Sequence, residues 1–131
     1  MRNLALTIFF LATSLVANIN WLDDYDNALD LAEKKQEKIL VMLSRENCPA
    51  CQYMNGVVFK DKKVSQYINE NFIALHLDVD RDFLPDELTY IGTPTFYFLE
   101  PNAIVLSKIR GAFNIKDFSN ILQRINNKKA E

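Results

Sequence analysis

The chain has 131 residues, 49% of them hydrophobic, which suffices for one packed core and is short for two domains. Fifteen Lys and Arg against seventeen Asp and Glu leave a formal charge of -2. No basic run is present, so the electrostatic footprint of a nucleic-acid-binding protein is missing and nucleic acid is excluded as the expected partner.

The N-terminus departs from this average. Arg2 precedes an apolar run of Leu4, Ala5, Leu6, Ile8, Phe9, Phe10, Leu11 and Ala12, and small residues follow at Thr13, Ser14 and Ala17. One positive charge, a short apolar run and small residues form the layout of a secretory signal peptide. The run falls short of the ~20 apolar residues that span a bilayer. Residues 1–17 are therefore expected to be a signal peptide, its end placed between 14 and 20, with 18–131 as the mature domain. A first core helix and an uncleaved anchor are the other readings of the segment. No Asn-x-Ser/Thr acceptor occurs, which favours a bacterial periplasm over a eukaryotic secretory route. Secretion, or tethering through an uncleaved N-terminus, is the alternative location.

Leu22, Tyr25, Ala28, Leu29 and Ala32 recur at helical spacing with Asp23 or Asp24 placed to cap, so 24–36 reads as an amphipathic helix. Lys38 to Ser44 follows as a strand whose unbroken Ile39-Leu40-Val41-Met42-Leu43 run suits burial on both faces. Pro49 fits the first turn of a helix that runs to about Asn55, with Gly56 at its end. Asp61 opens another helix through Val64, Tyr67 and Ile68, and the strand Ile73 to Asp78 comes next. Thr95 to Leu99 is a strand; Pro101-Asn102 marks a turn, and Ile104 to Ile109 can pair back as a hairpin until Gly111 breaks it. Asn114 caps a last helix with the apolar stripe Ile115, Phe118, Ile121, Leu122 and Ile125, and Asp117 stands three residues on, as in a capping box. The tail from Asn126 is expected to fray. This order of elements predicts an α/β fold, a central mixed β-sheet flanked by helices.

Cys48-Pro49-Ala50-Cys51 carries the chemistry. It lies where a buried strand gives way to a helix N-terminus. Helical positions i and i+3 share a face with Cα atoms ~5 Å apart, within the range a disulfide requires. Unpaired N–H groups and the helix dipole stabilise a thiolate at the first sulfur more than at the second. Cys48 is therefore the expected nucleophile and Cys51 the resolving thiol, exchanging disulfides through a mixed-disulfide intermediate. Structural zinc normally takes four ligands, and the chain offers two Cys and the single His76; no metal site is expected. A copper- or haem-delivery role would use the same two sulfurs and stays open. A purely structural disulfide is the third alternative, although it would close too small a loop to restrict the unfolded chain much.

The CxxC after an apolar strand, Gly92-Thr93-Pro94-Thr95-Phe96 opening a later one, and Gly111 before the final helix resemble the thioredoxin superfamily over about residues 20–126. The stretch Ala32 to Asp80 is further similar to exported thioredoxin-like domains such as the C-terminal domain of DsbD-type reductases. The resemblance implies a thioredoxin-like fold with helices on both sheet faces. It also implies a thiol:disulfide oxidoreductase whose cofactor is nothing beyond its own Cys48–Cys51 disulfide. By the same resemblance Pro94 should be cis and pack against the sulfurs, Thr93 and Pro94 should receive substrate, and Pro49 and Ala50 complete the active-site motif.

Two positions depart from the family pattern. The buried carboxylate that many thioredoxins carry six residues before the first Cys is Met42 here, and the usual Trp just before that Cys is Asn47. Water, or an acid from elsewhere in the chain such as Asp78 or Glu46, is the alternative for proton transfer, although solvated or structural roles suit both acids better. His76, with Ile73, Leu75, Leu77 and Val79 on the opposite strand face, reads as structural. Phe96, Tyr97 and Phe98 read as core. Pro-Ala between the cysteines brings no charge to stabilise the Cys48 thiolate, which favours a reductant. Expected partners are protein thiol or disulfide substrates and a membrane or periplasmic electron-transfer partner. A monomer is expected, and the rival function is a non-catalytic binding module on the same frame.

Overall fold

The computed structural model describes residues 18–128; the expected signal peptide, residues 1–17, lies outside them. Helix α1 (Tyr25–Lys35) begins where the Asp24 carboxylate accepts the Asn27 N–H at 2.7 Å, and Lys34 and Lys35 stand in its last turn. Both ends thus suit the helix dipole. Gln36 turns into the left-handed region (φ 53°) and releases the chain into strand β1 (Lys38–Ser44). Six of the seven β1 residues are buried, as the unbroken apolar run requires.

β1 lies inside a four-stranded sheet of order β2-β1-β3-β4. It pairs parallel with β2 (Phe72–Asp78) and antiparallel with β3 (Thr95–Leu99), and β3 pairs antiparallel with β4 (Val105–Arg110). Leu22, before α1, adds a parallel bridge to Leu75: its N–H donates to the Ala74 carbonyl at 2.8 Å and its carbonyl accepts from the His76 N–H at 2.9 Å. The outer side of β2 is thereby partly paired, and Trp21 is held beside it.

Alternation along the strands splits the core in two. Ile39, Val41 and Leu43 join Ile73, Leu75, Leu77 and Val79 beneath Ala28 and Ala32 of α1. Leu40, Met42, Phe96 and Phe98 face the other way, toward helix α2 (Pro49–Gly56), helix α3 (Lys62–Asn71) and helix α4 (Ile115–Asn126). Helices therefore cover both faces, as expected. On this second face Phe118 is fully buried and packs its ring against Phe59 and Phe96 at centroid distances of 5.5 and 5.2 Å.

Three local features differ from the periodicity reading. A 3₁₀ turn (Val58–Lys60) joins α2 to α3 and buries Val58 and Phe59. The β3–β4 register shifts between Phe98 and Leu99, and in the turn joining the two strands Ala103 takes a positive φ of 69°. At α4, Asn114 accepts the Asp117 N–H at 2.8 Å, but Asp117 answers by accepting from the Asn114 side-chain amide at 2.9 Å instead of reaching back to its backbone. A shorter Asp side chain in place of Glu suits that variant of the box.

Candidate functional site

The C-terminal end of β1 delivers the chain to the dithiol. Asn47 takes φ 58°, a left-handed conformation that Asn adopts more readily than most residues, and so turns the backbone into α2. Arg45 is anchored meanwhile: its guanidinium grips both Asp80 carboxylate oxygens at 2.7 and 3.0 Å, which holds the Asp80 carboxyl below the usual carboxylate range. Both partners are exposed, so this pair orients the loop more than it stabilises the fold.

Cys48 is the N-cap of α2, and Pro49 occupies the first turn. The Cys48 sulfur accepts the Cys51 backbone N–H at 3.1 Å. A sulfur thus sits where an Asp or Ser oxygen ordinarily caps a helix. The two cysteines form a disulfide, their Cα atoms 5.2 Å apart. Cys48 is 9% exposed and Cys51 only 3%, so the first cysteine is the more accessible of the two. Pro49 is exposed, and Ala50 packs against the core beside the pair.

The loop before β3 meets the dithiol from across the sheet. The Thr93 carbonyl oxygen lies 3.5 Å from Cys48 Sγ, the Thr93–Pro94 bond is cis and Pro94 is buried. The Thr95 hydroxyl donates to the Gly92 carbonyl at 2.7 Å, and the Gly111 N–H donates to the Pro94 carbonyl at 2.9 Å. Gly111 has φ 89°, a conformation that glycine adopts without strain. Cys48, Cys51, Pro49, Ala50, Thr93 and Pro94 therefore converge on one end of the sheet. Ile91, 84% exposed, stands at the mouth of a shallow groove with Thr93, Pro94 and Arg110.

His76 and Ser44 form a polar pair that sequence reasoning did not bring together. Met42 pairs in register with His76, and Ser44 follows two residues later on the same face. The Ser44 hydroxyl is hydrogen-bonded to His76 Nε2. The His76 ring tilts against Trp21 at 5.6 Å, and burial lowers its pKa against the opposing pull of Asp78 and Asp82. Both Ser44 and His76 line a cleft of about 540 Å³ that Cys51 also borders. Period-two counting along β1 and β2 could have placed the two on the Cys51 side, but the pairing register that joins them was not legible. Asp78 borders the same cleft, tied to Arg81 at 3.0 Å. Among the described residues no group of three or more His, Cys, Asp or Glu is arranged to hold a metal ion, and no helix is long and apolar enough to cross a membrane.

A family model described as a thioredoxin-like domain matches residues 25–126. The chain belongs to the thioredoxin-like family. Within it, the sequence is 26% identical over 105 residues to anterior gradient protein 3 of Xenopus tropicalis, covering 78% of this chain and 62% of that protein. The Mus musculus protein of the same name is 26% identical over 100 residues, covering 74% and 59%. The chain thus spans about 60% of the length of these curated relatives. Among solved structures, a thioredoxin from Thermus thermophilus is 31% identical with a TM-score of 0.70, covering 82% of this chain and 87% of that one. A putative disulphide-isomerase from Bacteroides thetaiotaomicron, 23% identical over 86% and 94% of the two chains, shares the fold with a TM-score of 0.71. Thioredoxin-like proteins with a CxxC pair are in general thiol:disulfide oxidoreductases that act on protein thiols or disulfides, and this chain has that fold and that pair.

Proposed function

We propose that this thioredoxin-like protein is a thiol:disulfide oxidoreductase that reduces disulfides in exported proteins. The observation that carries the reading is the Cys48 sulfur capping α2, 3.1 Å from the Cys51 N–H. In the reduced protein the same N–H and the positive end of the helix dipole would favour a thiolate at Cys48. That thiolate attacks a substrate disulfide, forming a Cys48–substrate bond and expelling one substrate thiolate. Cys51 then attacks Cys48 Sγ, forming the Cys48–Cys51 bond as the second substrate sulfur leaves with the electron pair. The substrate gains two electrons and the dithiol loses two. Thr93, whose carbonyl oxygen lies beside Cys48 Sγ, and the cis Pro94 that follows it receive the substrate backbone. Turnover in the reducing direction needs a donor that returns two electrons to the disulfide, and a membrane or periplasmic electron-transfer partner fits that need.

Insulin reduction driven by dithiothreitol tests the enzyme reading: wild type should accelerate it and Cys48→Ser should not. Equal rates would leave a non-catalytic binding module. For export, the support is the charge, apolar run and small residues of positions 1–17. The mature protein recovered from cells should begin between residues 15 and 21, as a cut after residue 14 to 20 requires; an intact Met1 would remove the cleaved-signal reading.

A further inference from the structure

Bridge closure requires the Cys51 thiol to lose a proton, and Cys51 is 3% exposed. Its buried neighbour on β1, Met42, has nothing to accept that proton. The cleft beside Cys51 does contain a polar pair: Ser44, at the end of β1, and His76 of β2, hydrogen-bonded to each other through Nε2. Met42 and His76 are register partners, which sets the imidazole on the α2 face of the sheet, next to the resolving sulfur's helix.

The other charged groups around the ring are otherwise engaged or stand at its margins. On β2 and the loop after it, Asp78 pairs with Arg81 and accepts the Asp80 N–H, and Asp82 accepts the Asp78 N–H. On the loop after β1, Arg45 is held by Asp80, and Glu46 is exposed. Asp23, before α1, is an exposed residue of the same cleft, and Lys60 shares with His76 the neighbouring cleft under Trp21.

We propose that the Ser44–His76 pair is the proton acceptor for Cys51 when the mixed disulfide is resolved. The inference rests on the oxidoreductase reading above. The Cys51 proton passes through a water in the cleft to the Ser44 oxygen while the Ser44 hydroxyl hands its own proton to Nε2. Cys51 sulfur forms its bond to Cys48 Sγ, the Cys48–substrate bond breaks, the substrate leaves as a thiolate with the electron pair, and the imidazolium later releases its proton to solvent. When the bridge is opened, the reverse transfer reprotonates Cys51. Burial pushes the imidazole pKa down, which favours the neutral ring that can accept.

Stopped-flow mixing of the reduced protein with dithiobis-nitrobenzoate separates the steps: one thionitrobenzoate is released as Cys48 attacks and another as Cys51 closes the bridge. In His76→Gln and Ser44→Ala the second phase should slow about 100-fold at neutral pH, the lower part of the range for a positioned proton acceptor. The first phase should persist and so report that each variant is folded. In wild type the second phase should hold its rate down to pH values below that of a free imidazole, ~6.5. A second phase unchanged in either folded variant, or a wild-type profile that follows only a thiol ionising near ~8.5, overturns the proposal. That wild-type profile can overturn the proposal even if neither variant folds. A first phase no faster than free cysteine would instead sink the oxidoreductase reading, in a different part of the same trace.

Discussion

Burial of His76 beside Trp21 and Ser44 lowers its pKa from 6.5, with Asp78 and Asp82 pulling the other way. The folded chain therefore binds a proton less readily than the unfolded one. Above 6.5 both states hold a neutral ring and the stability is fully present. As pH falls below that value the unfolded chain takes up a proton that the folded chain refuses, so stability declines until pH passes the folded value. Urea midpoints measured at about pH 7.5 and about pH 5 should show wild type losing more stability than His76→Gln, each unit of pKa difference being worth ~1.4 kcal/mol. Equal losses would mean that the carboxylates, which titrate in both proteins, account for the whole slope. The only tryptophan, Trp21, lies 5.6 Å from the ring, so its emission can follow the same transition.

At the level of elements, the parts that were legible are those governed by local chemistry. Asp24, Asp61 and Asn114 each cap the helix they precede, by accepting an N–H three residues on. β1 and β3 are centred on apolar runs, which each strand oversteps by no more than one residue at either end. The 3₁₀ turn at Val58–Lys60 was not legible, because its form is dictated by Phe59 reaching between Trp21 and Phe118, a contact between segments far apart in sequence. The Phe98–Leu99 irregularity likewise belongs to a pairing of two strands. His76 shows the same division for the site. Its strand face follows from period two, and its Ser44 partner follows only once β1 and β2 are laid side by side in register. Cys48 and Cys51 needed no such information, since four consecutive residues contain both sulfurs and the helix start that makes them unequal.

For the whole molecule, the direction of reaction is a question of stability. The oxidised and reduced proteins unfold to chains that differ only in the bridge, so the difference between their folding free energies displaces the potential of the pair from that of an unfolded dithiol. Every group that favours the reduced thiolate raises the potential and weakens the reductant. Here Pro49 and Ala50 contribute no charge, and the Cys51 N–H is the donor to the Cys48 sulfur among the described residues. A reductant near the thioredoxin end of the known range differs from a strong oxidant by ~150 mV, about 7 kcal/mol. Urea unfolding of the two forms should accordingly place the midpoint of the oxidised protein above that of the reduced protein. If the reduced protein resists urea better, the thiolate is held by more than one N–H and the helix dipole, electrons flow from substrate into the bridge, and the protein forms disulfides instead of breaking them.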